Sequence, residues 1–269
     1  MPAIRAISLA LAAWLFTGLA AGAETPPGRV VSINLCTDQL AMMLAAPGQL
    51  VSVSYLARDP MSSAMVADAA AYPPNRGLAE DVFLLQPDLV VAGAWTTPAT
   101  AAMLERLGVR VERFGIAATP EEITGQIRRM GALLGRDPEA EAMANRFLDD
   151  VARLAASAAA APRGRAATYH ANGFTSGTGE LSDLILSLAG YRNIADEIGL
   201  STGGHLPLET LVLAVPDLVV TGERFPGVSR SEDVMGHPSL DHLAARAETD
   251  AGWVCGLPHI LSAVEGLRE

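Results

Sequence analysis

The chain has 269 residues and a formal net charge of −11, and all 19 of its basic residues are Arg. Without Lys there is no P-loop, and no amine for Schiff-base or pyridoxal-phosphate chemistry. The acidic balance argues against nucleic acid as a partner, and the length allows one large domain or two of about 120 residues each.

Residues 1–23 read as an export signal. Arg5 precedes an apolar run over 6–20, and Ala21-Gly22-Ala23 forms a small-x-small cleavage site. The run is too short and too Ala-rich for a membrane span. Cleavage is expected after Ala23, with no cysteine there to take a lipid anchor, so the mature chain is expected in the periplasm.

A strand over 29–34 comes next, then a helix over 39–46 that Thr37 or Asp38 would cap and Pro47-Gly48 would stop. A second strand covers 50–53, and a polar, Pro-containing stretch covers 55–77. A helix over 79–86, a strand over 88–92, a helix over 98–107 and a strand over 109–114 follow. Thr119-Pro120-Glu121-Glu122 announces a helix to about 134. Asp137-Pro138-Glu139 announces another to about 161, with Asp137 as cap; some 24 residues at 1.5 Å each give roughly 36 Å. Beyond Pro162-Arg163-Gly164, a strand over 165–170, a Gly-rich loop over 172–179 expected to be mobile, and a helix over 180–189 open a second α/β stretch. It closes with a short helix at His237-Pro238-Ser239-Leu240, a strand near 247–254 and a helix over 258–266.

One sentence of sequence occurs twice, 129 residues apart. Residues 80–93 (EDVFLLQPDLVVAG) align without a gap to 209–222 (ETLVLAVPDLVVTG), with eight of fourteen positions identical. Each copy reads as a short helix, a Pro-Asp break and a buried parallel strand ending in Gly. Two copies imply two similar α/β lobes with mostly parallel sheets flanked by helices. The expected division is an N-terminal lobe over 24–118, connecting helices over 119–162 and a C-terminal lobe over 163–269. A cleft between lobes implies a ligand.

Ligands of open α/β sheets sit beyond the C-terminal ends of the strands. The loops there offer Asn34, Cys36, Tyr55, Arg58, Trp95, His170, Asn172, Phe174, Arg224, Phe225 and Trp253. Aromatic and Arg loop tips suit a large, flat, partly anionic ligand. Cys36 and Cys255 both follow predicted strands and face the cleft. They either bridge the lobes as a disulfide, meet ligand as thiols, or serve as small buried residues. All five His lie at or after position 170, so a bare metal ion held by His from both lobes is not expected, and neither is a resident cofactor. GxSxG, HExxH and CxxC are absent, which disfavours an enzyme; an exported two-lobed hydrolase with a cleft active site is the alternative.

Taken in order, several features resemble the class III periplasmic binding proteins of ABC importers, which carry cobalamin and ferric siderophores. They are the RVVSIN opening, Val53-Ser54-Tyr55, both Glu…PDLVV units, the capped connecting helix and the Trp253-Val254-Cys255-Gly256-Leu257-Pro258 turn. The resemblance covers nearly all of 29–268. It implies two lobes joined by one rigid helix, a monomer that captures a metal chelate or corrinoid, and delivery to an inner-membrane permease dimer. Glu80 and Glu209 match the acidic residues that dock each lobe onto permease arginines, and Ser54-Tyr55 matches a cobalamin contact. Where cobalamin-binding members carry a tryptophan before each docking Glu, this chain has Pro74 and Gly203, which leaves siderophores and other chelates open.

Overall fold

The computed structural model describes residues 25–96, 98–222 and 229–269. The expected signal over 1–23, and Arg224 and Phe225, lie outside the described residues.

The first stretch runs β1 (Val30–Ser32), α1 (Leu35–Leu44), β2 (Leu50–Ser54), α2 (Val66–Ala69), β3 (Pro74–Asn75), α3 (Ala79–Leu84), β4 (Leu89–Gly93), α4 (Pro98–Arg106) and β5 (Arg110–Phe114). Helices α5 (Pro120–Leu134) and α6 (Asp137–Ala160) follow. The last stretch holds β6 (Gly164–Thr168), β7 (Phe174–Thr175), α7 (Leu181–Ala189), β8 (Tyr191–Asn193), β9 (Gly204–His205), α8 (Leu208–Ala214), β10 (Leu218–Thr221), α9 (Pro238–Asp241), β11 (Ala245–Glu248) and α10 (Ile260–Gly266). Short 3-10 turns at Tyr55–Arg58, Ala171–Gly173 and Ala251–Trp253 carry several loop residues of interest. The strands build two separate parallel sheets, β3-β2-β1-β4-β5 and β11-β10-β6-β8, and β7 pairs antiparallel with β9.

The duplicated sentence has a mechanical meaning. In the first copy the Asp88 carboxylate accepts from the backbone N–H of Gly28 and of Arg29, both at 2.9 Å. In the second, Asp217 accepts from the N–H of Arg165 at 2.7 Å. The backbone N–H of each Asp returns a 2.8 Å bond to the carbonyl of Arg29 or Arg165. A Gly-Arg pair therefore opens the first strand of each sheet, and the Pro-Asp unit fastens it to the adjacent repeat strand. The residue before each Pro, Gln86 (φ 50°) or Val215 (φ 46°), is left-handed. For β-branched Val215 that conformation costs on the order of 1–2 kcal/mol, which the surrounding bonds offset.

Two helix caps differ from expectation. α1 begins at Leu35, and its cap is Asn34, whose side chain accepts from the N–H of Cys36 and Thr37. Thr37, Asp38 and Gln39 are buried inside the helix: the Thr37 hydroxyl meets that of Ser32 at 2.8 Å, and Asp38 accepts from Ser54. These polar residues resemble caps in sequence because their task, bonding the neighbouring strand ends, also calls for short polar side chains. α6 begins at Asp137, one residue early, with Arg136 at the cap position. Thr119 and Glu122 do form a full capping box at α5.

α6 packs on α5 and on α7, burying Ala140, Ala144, Phe147, Leu154 and Ala158. That spacing keeps one face turned inward over its whole length. The main apolar core is continuous from Val30, Leu40 and Leu89 through Ile123, Ile127 and Phe147 to Ala166, Ile185 and Val264. Smaller cores fill the outer faces of the two sheets.

Candidate ligand cleft

Strand order decides which loops meet. The ends of β2, β1, β4 and β5 place Tyr55, Asn34, Trp95 and Ile116 along one rim. The ends of β11, β10 and β6 place Asp250, Gly222 and His170 along another. A cavity of about 280 Å³ lies where the first rim meets the 3-10 turn Ala251–Trp253 and the strap after it. Asn34, Trp95, Phe114 and Ile116 wall it on one side, Trp253 and Val254 on the other, and Cys36 lies at its base. A second cavity of about 350 Å³ shares Trp253 and Val254, and Met61, Ser62, His170 and Asp250 border it. Trp253, only 9% exposed, therefore stands as a partition touched from both sides, whereas Trp95 is 84% exposed at its loop tip.

The two cysteines form a disulfide with Cα atoms 5.4 Å apart across 219 residues of sequence. Neither sulfur is a free thiol, which excludes ligand contact as thiols in this structure. The Gln39 amide donates to Cys255 Sγ at 3.5 Å.

The structure brings Asn34, Cys36, Trp95, His170 and Trp253 to the two cavities and leaves Tyr55, Arg58, Asn172 and Phe174 outside them. Tyr55 opens its 3-10 turn on the same rim, exposed and away from the cavity walls. Arg58 does not present a free guanidinium. It donates to the carbonyls of Ala69, Ala70 and Tyr72 and so ties down the 55–72 loop. Asn172 is left-handed at φ 57°; its N–H donates to the Ser231 carbonyl, and its own carbonyl bonds His205 Nδ1 at 2.9 Å. Phe174 sits on β7, its ring against Gly203, where a Cβ would lie 2.4 Å from Cζ. The Gly-rich loop is pinned instead of loose: β7 pairs with β9, and Glu180 accepts from the N–H of Gly177 and Gly203.

Burial dominates the electrostatics. It pushes the His170 imidazole below its ordinary pKa, so a neutral ring faces the second cavity at pH 7. It pushes Asp38, beneath the first rim, up to about 6, against the opposing hydrogen bonds from Ser32 and Ser54. Glu80 and Glu209 are exposed in the first turns of α3 and α8. Burial raises the pKa of Tyr169, and the nearby Glu209 charge adds to the rise. Sequence reasoning missed Phe114, Ile116 and Met61. The first two follow from the strand-end rule applied to β5; Met61 lies on a polar loop that carries no such signal.

A family model described as periplasmic binding protein matches residues 30–250. Cobalamin-binding proteins from two strains of Halobacterium salinarum are each 26% identical over 202 residues, which is 74% of this chain and 55% of theirs. The chain thus spans about half the length of these curated relatives. Among solved structures, a periplasmic heme-binding protein from Pseudomonas aeruginosa superposes with a TM-score of 0.72 at 23% identity, covering 90% of this chain and 91% of that one. The heme-binding protein HutB of Vibrio cholerae gives 0.75 at 17% identity over 89% and 97% of the two chains. The vitamin B12-binding protein BtuF of Vibrio cholerae gives 0.67 at 20% identity over 90% and 96%. At these identities the likeness is one of fold: an α/β chain with mostly parallel sheets flanked by helices.

Proposed function

Because this chain belongs to the periplasmic binding protein family, whose model matches residues 30–250, we propose that it is the substrate-binding protein of an ABC importer. It captures a metal chelate or corrinoid between two lobes and delivers it to an inner-membrane permease dimer. The observation that carries this reading is the pair of adjoining cavities divided by Trp253, with Trp95 exposed at the mouth. Large aromatic faces with few charged groups suit a flat macrocycle or chelate. The lobes are 24–118 and 163–269, with 119–162 as the brace, and the periplasm is the site of action. Tyr55 and Phe174, exposed near the rims, contact the parts of a large ligand that project beyond the cavities, and the neutral His170 faces it from the second sheet. Asn34 acts mainly by capping α1.

Trp95 and Trp253 are the tryptophans among the described residues and report binding directly. Titration with cyanocobalamin, haem and ferric siderophores is expected to quench their emission, and the signal should survive removal of free metal by a chelator. Truncation of Trp253 to Ala should weaken binding by on the order of 1–3 kcal/mol. If none of these compounds changes emission or thermal stability while free Zn²⁺ or Mn²⁺ raises stability, the chelate reading is wrong.

A further inference from the structure

We infer that the Cys36–Cys255 disulfide is the positioning element that sets the width of the cleft, and that ligand retention depends on its being oxidised. This rests on the binding reading above. The bond joins the first turn of α1, under the rim of the first sheet, to the strap that directly follows the Trp253-Val254 partition. The wall of the cavity is therefore covalently fixed to the opposite lobe two residues away. A second contact makes the same junction tight. Gly256 lies so close to Ala117, just before α5, that a Cβ there would fall 1.9 Å from the Ala117 carbonyl oxygen. Backbone meets backbone at that point, and only Gly leaves room for it.

The two sulfurs differ in access. Cys36 is half-buried and lines the cavity, whereas Cys255 is 3% exposed and takes the hydrogen bond from Gln39. A dithiol reductant reaches Cys36 first. Its thiolate attacks Cys36 Sγ, the S–S bond breaks, and the electron pair passes to Cys255 Sγ, which Gln39 stabilises until it takes a proton. The second thiol of the reductant then displaces Cys36, which is protonated in turn, and the reductant leaves as a cyclic disulfide. Two electrons and two protons have entered the protein. The Trp253 partition is then held by packing alone, and the lobes separate more readily.

The test compares the oxidised protein with the same folded protein after dithiothreitol and iodoacetamide treatment, and with the Cys36→Ser/Cys255→Ser variant. Acrylamide quenching of Trp253, read in a Trp95→Phe background, and the radius of gyration need no ligand; release of prebound cyanocobalamin or haem is the third readout. Loss of the bond should raise the quenching constant and the radius, and speed release by about tenfold or more with a smaller change in association rate. Unchanged quenching, radius and release would overturn the inference. If neither probe binds even the oxidised protein, the binding reading fails, and quenching and radius alone still decide whether the bond sets the cleft. Should the Ser variant or the alkylated protein fail to fold, the wild-type protein reduced in place by dithiothreitol under native conditions, without alkylation, gives the answer.

Discussion

Asp38 carries a cost that the fold accepts in return for position. It is buried in α1, accepts from the Ser54 N–H at 3.0 Å and from the Ser54 hydroxyl, and thereby holds the end of β2, where Tyr55 begins. Desolvation raises its pKa from 3.8 to about 6. The folded state therefore binds more protons than the unfolded state between those values. The stability this group contributes is fully present below pH ~4 and is lost as pH rises through ~6, on the order of 3 kcal/mol in all. Asp38→Asn removes that dependence while keeping an acceptor for Ser54. The stability of the variant relative to wild type, from urea unfolding, should be more favourable at pH 8 than at pH 4.5 by roughly 2–3 kcal/mol; the opposite slope would contradict the burial argument. Tyr55 and Trp253 were legible as candidate contacts because aromatic residues stood next to predicted strand ends. Asp38 was not, since a Thr-Asp pair before an apolar run reads equally well as a helix cap.

The repeat element shows why one short motif recurs. Each Pro-Asp unit closes the entrance of its sheet by bonding the Gly-Arg pair that starts the first strand. Gly164 at φ +120° leaves no room for a side chain, because a Cβ would lie 2.3 Å from the Asp217 carboxylate. Gly164→Ala should therefore destabilise the protein by on the order of 2–3 kcal/mol, through backbone strain plus displacement of Asp217. Gly28→Ala, whose Cβ would be 3.6 Å from Asp88, should cost far less; equal losses in thermal unfolding would refute the clamp. At α5, Thr119→Ala removes one half of the capping box and should cost about 1 kcal/mol. The α5 cap was readable because Thr-Pro-Glu-Glu is a local signal. The repeat strands were readable because they are fully buried apolar runs. Strands β8 and β9 carry no local signal: they are three and two residues long, and pairing with distant partners, not local pattern, makes them strands.

For the whole molecule, the proposed function turns on two surfaces. Glu80 and Glu209 occupy matched positions in α3 and α8, and a pair of exposed carboxylates suits a two-fold symmetric partner. Replacing both with Ala should leave cyanocobalamin or siderophore affinity unchanged and impair uptake by cells that depend on this protein. Equal loss of ligand binding would place these carboxylates at the ligand instead. The disulfide closes a loop of 219 residues, and in the chain-entropy model its removal costs about 5 kcal/mol. Calorimetry of the reduced and alkylated protein should show a correspondingly large drop in Tm.

Sequence alone determined the class of fold, the duplication and the rim residues, because these rest on local periodicity, identical motifs and the general rule that ligands meet strand ends. Tertiary structure alone decided which rim residues share a cavity, that Arg58 is spent on loop carbonyls, and which of three fates the cysteines take. The physical reason is range. A helix cap or a buried strand is written within a few neighbouring residues, whereas a cavity wall or a disulfide requires side chains more than 200 positions apart to arrive at one place. Only the packing of two sheets against a common core brings them there.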